Sequence, residues 1–182
     1  MERKVITLAG LWNSSPEHWQ SHWERMHGWL RAPHRDWNNP DRTEWVAEID
    51  AAIAVSDAVP LVAAHSLGCV ALAHWARSGS PLKIAGAFLV APSDVDGPNY
   101  PPHTTTGFAP MPMEKLPFPS ILVASSDDEY ATLERSRAFA QAWGSQFIEI
   151  GAAGHINGAS GHGAWPEGER MLLDFRQRLG PQ

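Results

Sequence analysis

Three polar stretches stand just beyond apolar runs, and together they hold the parts of a nucleophilic acyl-transfer site. The first is A-A-H-S-L-G at 63–68, where Ser66 interrupts an otherwise apolar sequence. The second is S-S-D-D-E-Y at 125–130, which offers Asp127 and Asp128. The third, G-A-A-G-H-I-N at 151–157, puts His155 on a glycine-rich segment. A serine hydroxyl is a weak nucleophile until a base takes its proton. An imidazole base in turn needs a carboxylate to fix its tautomer and stabilise its charged form. Serine, acid and histidine in that chain order are therefore a set able to attack a carbonyl carbon. Two of these residues also have a plain reading: Ser66 as a helix cap, and Asp127 as a solvated neighbour or helix N-cap.

The elements around these residues decide whether they can meet. P-L-V-A-A at 60–64 is short and continuously apolar, as a strand buried on both faces is, and from Leu67 the apolar residues recur at helical spacing through Val70, Ala71, His74 and Trp75. Ser66 then stands at a strand-to-helix corner with the small residues Ala64 and Gly68 on either side. Such a corner exposes a nucleophile above the sheet, and bulky neighbours would collide with adjacent backbone. Further strands are predicted at 5–9, 83–90, 120–124 and 146–150, with a weaker one at 28–32, and helices over 16–27, 42–55, 67–78, 131–143 and 167–179. This alternation predicts an α/β fold, a mostly parallel sheet of about six strands with helices on both faces. Ligands bind beyond the carboxyl ends of such strands, where Ser66, Asp128 and His155 all fall. Ser15-Pro16-Glu17 reads as a helix start, and Gly79, Pro81 and Gly144 read as helix ends.

The 182 residues, 43% of them hydrophobic, suit a single domain spanning 1–182. Within it, 91–119 is dense in Pro and Gly and keeps no period, which marks either a short lid over a pocket or a plain surface crossover, and is too short for a cap domain. A net charge of −6 without long runs of one sign offers no basic face for nucleic acid. No apolar stretch is long enough to cross a membrane or serve as a signal peptide core, and the lone Cys69 cannot form an internal disulfide, so a cytoplasmic setting is expected. His18 and His22 have the i, i+4 spacing of a zinc pair but lack a neighbouring Glu and a third ligand, so no metal is expected. Most of the nine Trp read as packing residues, while Trp12, Trp19 and Trp23 are placed to wall an acyl pocket.

Taken together, G-L-W-N-S-S-P-E-H-W at 10–19, A-H-S-L-G at 64–68, S-S-D-D-E-Y and G-H-I-N resemble the small, lidless α/β-hydrolases of the retinoblastoma-binding protein 9 group of serine hydrolases. The resemblance implies an α/β-hydrolase fold with Ser66 as nucleophile, His155 as base and Asp128, the second of the paired acids, as the orienting carboxylate. Two positions depart from the group's pattern: Ala64 replaces the usual Gly, and Glu129 follows the acid where Pro is frequent. His162 is the alternative base, and the ring of His65 is expected to point away from the reacting centre. The oxyanion donors expected are the backbone amides of Leu67 and Leu11, with Trp12 second to Leu11. The substrate expected is a small ester, thioester or activated amide, cleaved without metal or organic cofactor. A short-peptide peptidase and a non-catalytic protein-interaction module on the same fold are the alternatives, and a protein partner or homodimer stays open.

Overall fold

In the computed structural model, which describes residues 3–101 and 103–180, the chain runs β1 (Val5–Leu8), α1 (Trp19–His27), β2 (Leu30–Arg31), α2 (Arg42–Ala54), β3 (Leu61–His65) and α3 (Leu67–Ala76). It continues through β4 (Gly86–Val90), β5 (Ser120–Ala124), α4 (Leu133–Trp143), β6 (Gln146–Glu149) and α5 (Pro166–Arg178). The strands form one sheet in the order β2-β1-β3-β4-β5-β6, and every pairing is parallel. This is an α/β-hydrolase-like sheet, and its all-parallel pairing explains why the central strands read as unbroken apolar runs: both faces are covered.

Alternation along those strands divides the core in two. Val62, Ala64, Ala87, Leu89, Leu122 and Ala124 face one way and pack against Trp45 and Ile49 of α2, Leu72 of α3, and Phe139 and Trp143 of α4. Leu61, Ala63, Phe88, Val90, Ile121 and Val123 face the other way, onto Trp19 and Trp23 of α1 and Leu172 and Phe175 of α5. With side chains on alternate faces of each strand, both layers are held by the same short segments.

Several boundaries differ from the sequence expectation for local reasons. Helix α1 starts at Trp19, not at residue 16: Ser15 O accepts the His18 amide at 3.0 Å, closing a turn first. The cap is then His18, whose Nδ1 accepts the Gln20 amide at 3.1 Å. Strand β4 begins at Gly86, later than residue 83, and β2 is only two residues long. Gly144 ends α4 in the left-handed conformation, as its position in the sequence suggests. The described part of 91–119 holds no helix or named strand but is tied down along its length. Phe108 O accepts from His74 Nε2 at 2.8 Å, Pro112 O accepts from Trp143 Nε1 at 2.7 Å, and Asp94 takes two bonds from Arg135 at 2.7 and 2.9 Å. Among the described residues, no helix is long and apolar enough to cross a membrane.

Candidate active site

Ser66 occupies φ 55°, ψ −125°, a conformation that non-glycine residues rarely adopt. The corner from β3 into α3 imposes it. The Ser66 amide is fixed to Val90 O at 3.0 Å, and the helix starts at the next residue. The surrounding backbone leaves no room for larger neighbours. A Cβ on Gly68 would meet Leu8 O at 2.6 Å and Ala9 O at 2.7 Å, and one on Gly10 would meet Ser66 Cβ at 2.8 Å. The loop after β1 therefore lies directly against the elbow.

From this corner a continuous hydrogen-bonded chain leads away. Ser66 Oγ lies 2.8 Å from His155 Nε2, and His155 Nδ1 lies 2.9 Å from both carboxylate oxygens of Asp128. The Asp128 side chain is 3% exposed and also accepts the Tyr130 amide at 2.9 Å. A carboxylate held against Nδ1 requires the proton there, leaving the Nε2 lone pair for the serine. Ser66, Asp128 and His155 thus come together, while His162 does not join them. Its Nδ1 faces Ser160 Oγ at 3.2 Å, and its ring packs edge-on against Trp165.

The loop bearing His155 is held from several sides. Asp127 Oδ1 accepts the Gly154 amide at 2.8 Å and the Ser125 hydroxyl at 2.7 Å, and Ser125 Oγ accepts the Ala153 amide at 2.9 Å. Asp127 is exposed, as a solvated neighbour of the acid would be, but it is not a helix cap, and it also fastens the base loop to the acid loop. Those bonds, the Ser125 hydroxyl first, hold its carboxyl below the usual carboxylate range. Thr132 caps α4 instead. His65, expected to turn away, packs its ring 4.8 Å from that of His155, and its Nε2–H donates to His155 O at 2.9 Å. Burial drives its pKa well down, so it stays a neutral donor.

A cavity of about 240 Å³ opens over Ser66, lined by Gly10 to Asn13, Ser15, His18, Ser93, Tyr100, Pro101, Tyr130 and Asn157 to Ala159. Leu11 and Leu67 are on its wall, and among the described residues neither backbone amide has a hydrogen-bond partner. The amide of Trp12, by contrast, is engaged by Trp37 O at 2.8 Å, so of the two loop candidates only Leu11 has a free donor. Trp12 lines the cavity and is 56% exposed. Trp19 does not line it, and this corrects the sequence expectation. It is 0% exposed in the core between α1 and the sheet, because it lies on the inward face of α1. Its indole N–H donates to Ile156 O at 3.0 Å, next to the histidine. Trp23 is likewise core, bonded to Ala164 O at 2.9 Å. Cys69 is buried in the first turn of α3, and burial pushes its thiol pKa up, so it packs and does not ionise.

A family model described as serine hydrolase matches residues 5–174 of this chain. The chain belongs to the serine hydrolase family. A YdeN-like hydrolase of Pectobacterium atrosepticum is 32% identical, with 99% of this chain and 94% of that one covered and a TM-score of 0.86. The ydeN gene product of B. subtilis, at 16% identity, 95% and 98% coverage and a TM-score of 0.71, shares the fold. So does Thermogutta terrifontis esterase 2, at 18% identity, 100% and 86% coverage and a TM-score of 0.72. No curated protein sequence matches this chain.

Two features of this serine hydrolase escaped sequence reasoning. Ser93, just past β4, brings its Oγ to 2.8 Å from Ser66 Oγ. Its signal was present, a polar residue directly after an apolar strand in L-V-A-P-S-D, but only the adjacency of β3 and β4 makes it meaningful. The other is His18, which lines the cavity and has a pKa lowered to about 3, by burial first and then by the charge of Arg31. Its Nδ1 is occupied as the α1 cap, and His22, four residues on, lies 3.7 Å from Glu17.

Proposed function

We propose that Ser66, His155 and Asp128 are a catalytic triad and that the enzyme hydrolyses small esters, thioesters or activated amides through a Ser66 acyl-enzyme. The observation that carries this reading is the unbroken relay from the Asp128 carboxylate through His155 to Ser66 Oγ, 2.9 and 2.8 Å long, ending at the floor of an open cavity. In acylation Ser66 Oγ bonds to the substrate carbonyl carbon while its proton passes to His155 Nε2. Asp128 stabilises the imidazolium, and the carbonyl electron pair moves onto oxygen. The amides of Leu67 and Leu11 receive that oxyanion; Leu67 has the added advantage of the positive end of α3. Collapse expels the alcohol, thiol or amine with the proton from His155, and water repeats the sequence to free the acid. Side chains and backbone amides supply every step.

The cavity, about 240 Å³ with Trp12 and Tyr130 on its walls, supports a modest acyl or alcohol group. The four sequence motifs support a place beside the retinoblastoma-binding protein 9 group, and the single buried Cys69 is in keeping with a reducing, cytoplasmic setting. The test is rapid-mixing hydrolysis of p-nitrophenyl acetate and butyrate beside a thioester and an aminoacyl amide. A burst of one p-nitrophenol per chain, followed by slower turnover, is expected from the wild type and not from Ser66→Ala. Folded protein that turns over none of the panel would overturn the reading.

A further inference from the structure

We propose that Ser93 is a fourth catalytic side chain, donating a hydrogen bond to Ser66 Oγ and stabilising the charge that oxygen carries when it attacks and when it leaves. The inference rests on the triad reading above. Its basis is a count of protons. Asp128 holds a proton on His155 Nδ1, so His155 Nε2 is an acceptor, and the Ser66 hydroxyl must spend its only hydrogen on it. Ser93 Oγ lies 2.8 Å from Ser66 Oγ, and of the two only Ser93 has a hydrogen left to give. The donor in that contact is therefore Ser93.

Its surroundings hold it there. Ser93 is 4% exposed, and among the described residues its Oγ makes this one hydrogen bond. The next residue, Asp94, is clamped by Arg135 through Nε and an Nη at 2.7 and 2.9 Å, and the Asp94 amide donates to Tyr130 O at 3.0 Å. Tyr130 in turn donates its amide to Asp128. The donor to the nucleophile and the carboxylate behind the base thus sit on two loops, after β4 and after β5, that a backbone hydrogen bond fastens together.

The chemistry follows from where charge appears. As the Ser66 proton moves to His155, Oγ gains negative charge before its bond to the acyl carbon is complete. In deacylation the same oxygen regains charge as the C–Oγ bond breaks, and His155 returns the proton to it. A hydrogen bond from Ser93 strengthens in both transition states, and no atom passes to or from Ser93. One such bond is worth about a tenfold rate change. It should appear equally in acylation and in deacylation.

The experiment compares Ser93→Thr with Ser93→Val, which have the same shape and differ by the hydroxyl, and adds Ser93→Ala. Capture of Ser66 by a fluorophosphonate reads acylation, and the steady-state rate after the p-nitrophenyl butyrate burst reads deacylation. The expected result is that Val and Ala are slower than wild type by roughly tenfold in both steps and that Thr is several-fold faster than Val. Equal rates for Thr and Val would overturn the proposal. If the β-branched pair does not fold, Ser93→Ala within twofold of wild type in both steps overturns it alone. A wild type that shows neither capture nor burst would instead remove the triad reading, and this inference with it.

Discussion

Gly10→Ala tests the contact between the loop after β1 and the nucleophile corner. An added Cβ would be 2.8 Å from Ser66 Cβ and 3.2 Å from both His65 O and Leu67 N. Two of these three atoms are backbone, and Ser66 is itself fixed by its strained corner, so none can rotate aside. Ordinary contact begins near 3.4 Å, so the loop after β1 must retreat by up to about 0.6 Å, carrying the Leu11 amide with it. A displacement of about 1 Å in a catalytic group costs on the order of a hundredfold, and loss of one oxyanion donor costs about 100- to 1000-fold. We expect kcat to fall by roughly 30- to 1000-fold while KM for p-nitrophenyl acetate changes little, since the donor acts mainly on the transition state. Overpacking should also cost about 1–3 kcal/mol, or roughly 2–12 °C in Tm for a domain of this size. Gly79→Ala is the control: its φ of +81° is strained for Ala, but nothing lies within 4 Å, so it should cost stability and leave turnover intact. Folded Gly10→Ala enzyme with kcat within threefold of wild type would refute the argument that this loop supplies an oxyanion donor.

Three further predictions concern residues around the relay. Asp128→Asn should lower kcat/KM on the order of a thousandfold or more by favouring the wrong His155 tautomer. Asp127→Asn only loosens the base loop and should cost less than about thirtyfold; a larger loss at Asp127 than at Asp128 would contradict the assignment. His18 must bind a proton on unfolding below pH 6.5, because its folded pKa lies near 3. Folding stability therefore declines as pH falls from 6.5 toward 3, by up to about 1.4 kcal/mol per pH unit from this group. His18→Asn keeps a good helix cap, so urea unfolding between pH 5 and 6.5 should show a slope shallower by nearly one proton, and an unchanged slope would count against a neutral His18. Trp12→Ala should change the ratio of kcat/KM for butyrate over acetate. Trp19→Phe should leave that ratio alone and lower stability by about 1–3 kcal/mol through the orphaned Ile156 carbonyl, and a shifted ratio would return Trp19 to the pocket wall.

What could be read from the sequence was whatever depends on neighbours along the chain. Ser66, Asp128 and His155 each stand within six residues of the end of a strand (His65, Ala124 and Glu149), so a strand-and-loop reading carried all three to one edge of the sheet. The residue types then restricted the chemistry. Contacts set by strand order were hidden. Ser93 matters because β4 lies beside β3, and nothing within the segment itself says which strand will be its neighbour. Orientation was hidden too: Trp12 and Trp19 are seven residues apart, yet one lines the cavity and the other is sealed beneath α1, a difference that depends on where the helix begins. That start was misplaced because Ser15-Pro16-Glu17 has the composition of a cap, while the turn closed by Ser15 O hands the role to His18. The paired acids show both sides of this. Their proximity to the strand end was plain, but only the folded loops show Asp128 facing the ring and Asp127 facing the backbone of Gly154.

The most direct test of the central claim is intact-mass detection of a fluorophosphonate adduct on the wild type, Ser66→Ala and His155→Ala, with the modified peptide mapped. One adduct per wild-type chain, located at Ser66, absent from Ser66→Ala and formed far more slowly on His155→Ala, is the result the account predicts. A folded wild type that stays unlabelled while a control hydrolase reacts, or an adduct that survives in Ser66→Ala, would contradict it.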